Sequence, residues 1–402
     1  MTKKLNFKKY FFYIFLYLFI YSPPFSVLPV NISLLMSIFC FLLLYDGKLA
    51  AYLNFFKGEL FLLFLICCYA LVLAVYSGTI AFYDPFILLF FNIPTVFLIY
   101  YIMKRIFGHS SDIYSELINS LMIVATIASC ISIFLWFNKD LNEVIKFEVL
   151  KYSEELLVYQ SHRGFGLADE FLFSYSIVQA CIFLLVIERR GFNFKTMIFA
   201  LLIFLSVSLN ARIGFLFLSL FVFIPSIRKK SSIKWIIVFF ITLFTFFSIY
   251  QGNEFILFVL DQFEYFIDDA TSRGSDAGIV DALVNEMLFI PENSWQLFFG
   301  NGENVFQLQN SKNSDIGFII LWFYGGLLYL TLILTFFSYC YGRGLKIKMF
   351  APITILIVMV LVANFKGLFF AAKPGMHLFL CVYIIMMLSS NRFSLRNTRR
   401  LN

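Results

Sequence analysis

Apolar stretches of about 20 residues, the length that crosses a bilayer as a helix, recur along almost the whole chain. Short polar segments separate them, and residues 251–314 form the one long polar interval. The pattern predicts an all-α polytopic membrane protein with about twelve transmembrane helices. We find no internal repeat, so a single membrane domain over residues 1–402 is the simplest organisation. The predicted spans lie at residues 10–21, 25–45, 59–76, 86–103, 117–137, 170–188, 196–209, 213–226, 235–250, 316–340, 350–365 and 375–389.

An interruption divides the apolar stretch from Thr196 to Pro225 into two short predicted helices. Residues 209–213 form the interruption and contain Arg212. In one long helix this arginine would lie near the bilayer centre, where a charged side chain is expensive. Two short helices that meet at one membrane surface avoid that cost, so we expect a turn at residues 209–213.

The long polar interval opens with a predicted amphipathic helix. Four acids are spaced so that they share one helix face, with Phe and Leu on the opposite face. They are Glu254, Asp261, Glu264 and Asp268. We expect this helix to lie on the outer membrane interface with its acids towards water. Residues 277–289 are expected to form a second helix, which Pro291 ends.

Composition and charge agree with a membrane protein and predict its orientation. Hydrophobic residues make up 61% of the chain and charged residues 14%, against roughly 45–50% and 25% in soluble domains. Most of the 31 Lys and Arg fall in alternate connections and in both ends of the chain, as the positive-inside rule requires of the cytoplasmic side. We therefore expect cytoplasmic termini and outer loops at residues 138–169, 208–212 and 251–314. The net charge of +7 follows from this topology and indicates no nucleic-acid partner.

The first apolar stretch and the cysteines provide no candidate chemistry. Ser22–Pro24 follows the first stretch in place of a small-residue cleavage site, so we expect the stretch to remain as an anchor.

All seven cysteines lie inside apolar stretches and lack the spacing of a disulfide framework or a metal site. We therefore expect no metal and no cofactor.

Three arginines in three different outer loops are the main candidates for binding a substrate: Arg163, Arg212 and Arg273. A guanidinium group matches phosphate oxygens with two parallel hydrogen bonds. The sequence contains no phosphate-binding loop, zinc-protease or serine-hydrolase motif. A lipid pyrophosphate at the outer leaflet is a ligand that such a set would suit. A snorkelling role for Arg212 and simple loop charges at the other two positions are the alternatives.

Carboxylates in the same loops are candidates for a general base. Asp169, Glu170 and Asp315 each precede an apolar stretch, and any of them would accept the proton of an attacking hydroxyl group. The alternative is that they cap or begin the helices that follow. His162 lies beside Arg163, which leaves a role in proton transfer open.

The layout resembles the O-antigen polymerases (the Wzy type) and, more distantly, the O-antigen ligases of bacterial envelopes. The similarity extends over most of the chain as topology, whereas its motifs are short. Their order and predicted sidedness, taken together, are more specific than any one of them. The matching segments are Arg163–Glu170, Ser208–Arg212, Thr271–Gly274, Phe298–Gly302, Asp315–Phe318 and Tyr324–Leu328.

The resemblance implies a GT-C-like membrane glycosyltransferase in the bacterial inner membrane. It implies an undecaprenyl-pyrophosphate-linked oligosaccharide as substrate, transfer with inversion, no metal, and a chain-length regulator and a flippase as partners in the pathway. Gly300 and Gly302, within the matching segment Phe298–Gly302, become further candidate site residues.

Two other functions remain alternatives. The ligases have a prominent His in the large outer loop, and residues 251–314 contain none, which favours a polymerase. A lipid-linked oligosaccharide flippase would also have about twelve spans. We find no repeat between the two halves of the chain and few charges within the spans. Both observations argue against a flippase.

Overall fold

A computed structural model of the chain describes most residues as helices joined by short connections. Among the described residues there is no β-strand, and Phe25 and Leu150 form an isolated antiparallel bridge. The residues described are 2–27, 32–44, 48–78, 84–108, 112–150, 166–168, 173–211, 213–224, 230–249, 252–271, 287–302, 314, 316–367, 370 and 373–390.

Seventeen α-helices are numbered here in chain order through these residues. They are α1 Thr2–Tyr21, α2 Ile32–Leu43, α3 Lys48–Phe55, α4 Lys57–Ser77, α5 Asp84–Ile87, α6 Ile93–Phe107, α7 Ile113–Phe137, α8 Lys139–Val144, α9 Phe173–Arg190, α10 Phe194–Ser208, α11 Ile213–Ser219, α12 Lys230–Ile249, α13 Glu254–Thr271, α14 Ser294–Phe299, α15 Gly317–Lys346, α16 Phe350–Lys366 and α17 Lys373–Ser389. Short π-helical segments follow α5 and α8, at Leu88–Asn92 and Ile145–Val149, and a 3₁₀ turn at Leu220–Phe223 follows α11.

Four helical segments in the described part of the chain are long and apolar enough to cross a membrane. They are Lys57–Ser77, Pro85–Phe107, Ile113–Phe137 and Gly317–Lys346. Other apolar helices are shorter, among them α10, α16 and most of α17. The chain is thus all-helical where it is described and contains helices suited to a bilayer, whereas the number of twelve spans stays a prediction.

The chain divides into two compact units, which are described separately. Unit 1 contains Met1–Ile32, Met103–Thr271 and Lys373–Leu378, and unit 2 contains Ser33–Ile102, Ser272–Ala372 and Phe379–Asn402. In unit 1, α9 packs against α7, α10 and α11. In unit 2, α15 packs against α4, α14 and α16. Each unit is therefore organised around one helix that contacts several others.

The predicted interruption near Arg212 is confirmed. Helix α10 ends at Ser208, a turn follows at Leu209 and Asn210, and α11 begins at Ile213. Leu209 is buried in an apolar cluster with Leu205 of α10 and with three residues of α13. The cluster holds Leu209 against α13 at the point where the chain leaves α10. This contact fixes the position of the chain at the end of the helix.

The predicted amphipathic helix at the start of the polar interval is also confirmed as α13. Phe255, Ile256 and Val259 are buried on one face, while Glu254, Asp261 and Glu264 are exposed. The second predicted helix, at residues 277–289, is wrong at its end, since residues 287–291 are not helical; residues 277–286 lie outside the described residues. Phe289 instead packs edge-on against Phe323 of α15, with ring centroids 5.1 Å apart.

Candidate functional site

Seven of the nine candidate site residues lie outside the described residues. Gly300 and Gly302 are described, and the flanks of several other candidates are described as well. Those flanking residues and the helices that hold them show the surroundings of the candidates. The seven are Asp315, Asp169, Glu170, Arg163, Arg212, Arg273 and His162.

A buried network of hydroxyl and amide groups lies near the start of α9 in unit 1. The Tyr175 hydroxyl lies 2.7 Å from Ser206 Oγ of α10. Gln179, one turn further along α9, donates from Nε2 to the same tyrosine oxygen at 2.9 Å. All three side chains are buried. The network joins α9 to α10 without placing any charge in the apolar interior, where a buried polar group needs a partner.

Tyr17 and Tyr175 lie against the segment that follows Arg163. The Tyr17 hydroxyl of α1 donates a hydrogen bond to the backbone oxygen of Gly166. A Cβ atom at Gly166 would lie 2.7 Å from the Tyr175 ring and 2.9 Å from the backbone oxygen of Ala128. A larger residue would therefore clash, and the absence of a side chain lets this segment approach α7 and α9 closely.

Ser176, which follows Tyr175 in α9, holds the segment that precedes Arg212. The backbone N–H of Ala211 donates to Ser176 Oγ at 3.0 Å. A Cβ atom at Gly214, at the start of α11, would lie 2.9 Å from Ser176 Cβ. Because α10 has ended at Ser208, the Ala211 N–H has no helical carbonyl to bind, and the serine hydroxyl satisfies it.

Adjacent residues on one turn of α9 thus hold both flanks. Tyr175 contacts Gly166, which lies three residues after Arg163, and Ser176 binds Ala211, which directly precedes Arg212. The same helix begins shortly after Asp169 and Glu170 in the chain. The structure brings together the described flanks of these candidates, whereas the positions of their side chains stay a prediction.

Gly300 and Gly302 lie in unit 2, in a segment that contacts a kink in α15. Helix α15 is interrupted at Gly326, whose φ is 67° and ψ is −174°. Gly300 has nearly the same conformation, with φ of 69° and ψ of −179°. This backbone region is essentially restricted to glycine. A Cβ atom at Gly326 would lie 2.4 Å from backbone atoms of Phe298, and one at Gly300 would lie 2.3 Å from the Tyr324 oxygen.

Backbone groups of this segment satisfy carbonyls that the kink frees. The Gly302 N–H donates to the Tyr324 oxygen at 2.9 Å, and the Asn301 N–H donates to the Phe323 oxygen at 3.4 Å. Non-helical backbone within a membrane is tolerated where protein groups complete its hydrogen bonds. Gly300 and Gly302 therefore have a backbone role here, and a role towards substrate stays a prediction.

The flanks of Asp315 are also fixed within unit 2. Ser314 is fully buried; its hydroxyl donates to the Met287 oxygen at 2.9 Å and accepts from the Ile316 N–H at 3.1 Å. Ser314 thus anchors the start of α15 to the segment around Met287. The predicted convergence of Asp315 and Arg273 with the other candidates stays a prediction.

A buried ion pair was not anticipated from the sequence. Arg343 donates from Nη1 to both carboxylate oxygens of Glu59, at 2.5 and 2.7 Å, and the Tyr383 hydroxyl donates to the same carboxylate at 2.5 Å. The helix that holds Arg343 is longer than the predicted span at residues 316–340, since α15 continues to Lys346. The Arg343 side chain, in the last turn of this helix, is 17% exposed.

The sequence contains local signals for the buried network and for the ion pair, neither of which was anticipated. Tyr175 and Gln179 are four residues apart, a helical spacing that places two polar groups on one face of an apolar helix. Glu59 is an acid at the start of an apolar stretch, and a charge there is a sign of a buried partner. No protein-family model matches the chain, and no curated protein matches it.

Proposed function

We propose that the protein is a membrane glycosyltransferase of the O-antigen polymerase type. It joins undecaprenyl-pyrophosphate-linked oligosaccharide units into surface polysaccharide at the periplasmic face of the bacterial inner membrane. The observation that carries the proposal is the turn of α9 at Tyr175 and Ser176: Tyr175 lies against Gly166, near Arg163, and Ser176 binds Ala211, beside Arg212. Two arginine-bearing segments anchored to one helix turn suit the binding of one anionic group.

The arginines supply the positive charge that the reaction needs. As the bond between the sugar and the phosphate breaks, negative charge builds on the leaving pyrophosphate. Arg163, Arg212 and Arg273 bind that group with fixed hydrogen-bond donors and so lower the barrier. Loss of one such donor typically reduces the rate about 10²–10³-fold.

A carboxylate accepts the proton of the attacking sugar hydroxyl group. Asp315 and Asp169 are the first candidates, followed by Glu170, and His162 is the further option. The hydroxyl group belongs to the terminal sugar of a second lipid-linked unit. Residues 251–314 cover the reacting chains and exclude water, which would otherwise hydrolyse the donor.

Purified protein in lipid nanodiscs tests the proposal directly. It should lengthen lipid-linked oligosaccharide in the presence of EDTA and without any nucleotide, as followed on a gel. Arg212→Lys should be nearly as inactive as Arg212→Ala, because a point charge does not replace the two parallel hydrogen bonds of a guanidinium. Arg189→Lys is the matched control, since Arg189 pairs with Asp112 at the far end of α9.

Other results would overturn parts of the proposal. A fully active Arg212→Lys variant would remove the bidentate role of Arg212. Activity that collapses with EDTA and returns with a divalent cation would contradict the metal-free mechanism. Movement of the lipid-linked unit across vesicles without elongation would indicate a flippase, and transfer to a lipid A core acceptor alone would indicate a ligase.

A further inference from the structure

A cleft of about 760 Å³ lies in unit 1. Residues 136–141, at the end of α7 and the start of α8, form one side, and residues 252–255, at the start of α13, form the other. Small-molecule sites usually have volumes of roughly 300–1,000 Å³, so the cleft is large enough for sugar units. The predicted topology places both segments on the outer side of the membrane.

One wall of the cleft is a flat, rigid aromatic surface. The Phe137 ring stacks on Phe255, with centroids 5.0 Å apart and planes at 27°, and Trp136 meets Phe255 edge-on at 4.8 Å. Phe255 is 5% exposed, whereas Phe137 is 59% exposed. Contacts with the buried Phe255 and the half-buried Trp136 hold the orientation of the Phe137 ring while much of its surface stays exposed.

Two amides of fixed orientation lie on opposite sides of the cleft. Asn138 donates from Nδ2 to the Phe134 oxygen at 2.8 Å, which leaves its side-chain oxygen and one N–H for a ligand. Asn253 accepts the Phe255 N–H on Oδ1 at 2.9 Å, which leaves its NH₂ group and one lone pair of the oxygen for a ligand. The cleft therefore presents both an acceptor and donors, as a hydroxyl-bearing ligand requires.

The charges of the lining indicate a neutral ligand. Lys139, Asp140 and Glu254 line the cleft and are all exposed. Two carboxylates and one ammonium group repel a phosphate more than they attract it, and the lysine disfavours a cation. Carboxylates accept hydrogen bonds from sugar hydroxyl groups, and an exposed ring packs against the C–H face of a sugar ring.

We propose that this cleft binds a neutral sugar unit of an oligosaccharide. The C–H face of the sugar packs on Phe137, and its hydroxyl groups bond to Asp140, Glu254 and the two amides. The inference rests on the proposed function for the source of the glycan, a lipid-linked chain. The cleft then acts as a site that holds one sugar unit of the growing chain.

Titration calorimetry on the full chain in lipid nanodiscs tests the inference. The probe is the oligosaccharide released by mild acid from the surface polysaccharide of the cells that make the protein. Phe137→Ala should weaken binding about tenfold, the loss expected when one stacking ring is removed. Phe137→Tyr, which keeps the ring, should bind like the unmodified protein. Phe134→Ala is the matched control, since Phe134 is 55% exposed on the same helix and does not line the cleft.

The competing outcomes are distinct. Equal affinities for the Phe137→Ala and Phe134→Ala variants, or no binding of the probe, would overturn the inference. So would binding of phosphatidylglycerol vesicles that Lys139→Gln abolishes, which would identify a lipid-headgroup site. Elongation assays on the same samples separate the two proposals. Elongation without binding in the cleft would contradict this inference alone. Binding in the cleft without elongation would contradict the proposed function alone.

Discussion

Two buried polar clusters, one in each unit, are built in different ways. In unit 1, Tyr175 bonds to both Gln179 and Ser206 in a network of neutral groups. Unit 2 contains a charged pair, Glu59 and Arg343, within a set of apolar helices. A neutral network has a small desolvation cost, whereas a buried ion pair has a large one that only good geometry repays. The two interiors are therefore expected to respond differently to the loss of one partner.

The groups that each interior holds also differ. In unit 1, Tyr17 and Ser176 bond to backbone groups of connecting segments, at Gly166 and Ala211. In unit 2 the ion pair joins α4 to α15, and Tyr383 adds α17 to the same carboxylate. These bonds in unit 1 position connecting segments, whereas the ion pair in unit 2 joins helices.

Breaking the ion pair should have the largest effect. Glu59→Gln leaves the Arg343 charge buried without a counter-charge, and breaking a buried pair typically costs about 3–5 kcal/mol. The combination of Glu59→Gln with Arg343→Met should recover much of that loss, because no charge then remains buried. Thermal unfolding in detergent measures both variants.

A control for this prediction is the pair of Arg189 with Asp112, whose side chains are 39% and 51% exposed. Arg189→Met should change the unfolding temperature little, since exposed pairs contribute little. If the double variant at Glu59 and Arg343 were as unstable as Glu59→Gln alone, hydrogen bonding and packing rather than charge would dominate in unit 2.

A side chain at the kink of α15 should have an intermediate effect. Gly326→Ala forces a backbone conformation restricted to glycine, at about 1–3 kcal/mol, and adds the clash with Phe298. Gly342→Ala in the same helix is the matched control, since its added Cβ atom would meet nothing within 4 Å. Protease sensitivity of residues 294–302 and the unfolding temperature measure the difference. Equal behaviour of both variants would show that the segment does not depend on the kink.

Removal of one hydroxyl group from unit 1 should have the smallest effect on stability. Tyr17→Phe removes the hydrogen bond to the Gly166 oxygen, at about 1 kcal/mol. Elongation activity should fall more than stability does, because the segment after Arg163 loses an anchor. Tyr10→Phe, at a tyrosine that is 65% exposed on the same helix, is the control for both measurements. Normal activity of the Tyr17→Phe variant would remove this anchor from the proposed mechanism.

Features of the fold that depend on local cost were predictable from the sequence. The interruption at residues 209–213 followed from the cost of burying Arg212, and α13 followed from the spacing of its acids. The kink at Gly326 was not predicted, although Gly325 and Gly326 form a glycine pair of the kind at which helices often kink. The contact with Phe298 at the kink leaves no periodic signal in a sequence.

The candidate site was predictable only as a set of residue types. Sequence reasoning selected Arg163 and Arg212 by their chemistry, but could not identify Tyr175 and Ser176 as the residues that hold their flanks. Tyrosine and serine are common in apolar helices, and the partners of these two are distant in the chain. The ion pair of Arg343 was missed for a related reason, since its partner, Glu59, is on another helix.

The contact between residues 298–302 and the kink in α15 has a consequence for biosynthesis. The segment is made immediately before the helix that it caps, so its glycines leave the ribosome ahead of Gly326. The chain between them is short, and the entropy cost of closing a loop grows slowly with its length. The carbonyls of Phe323 and Tyr324 therefore find their donors in a segment that is made before them. These two hydrogen bonds do not have to wait for any later part of the chain.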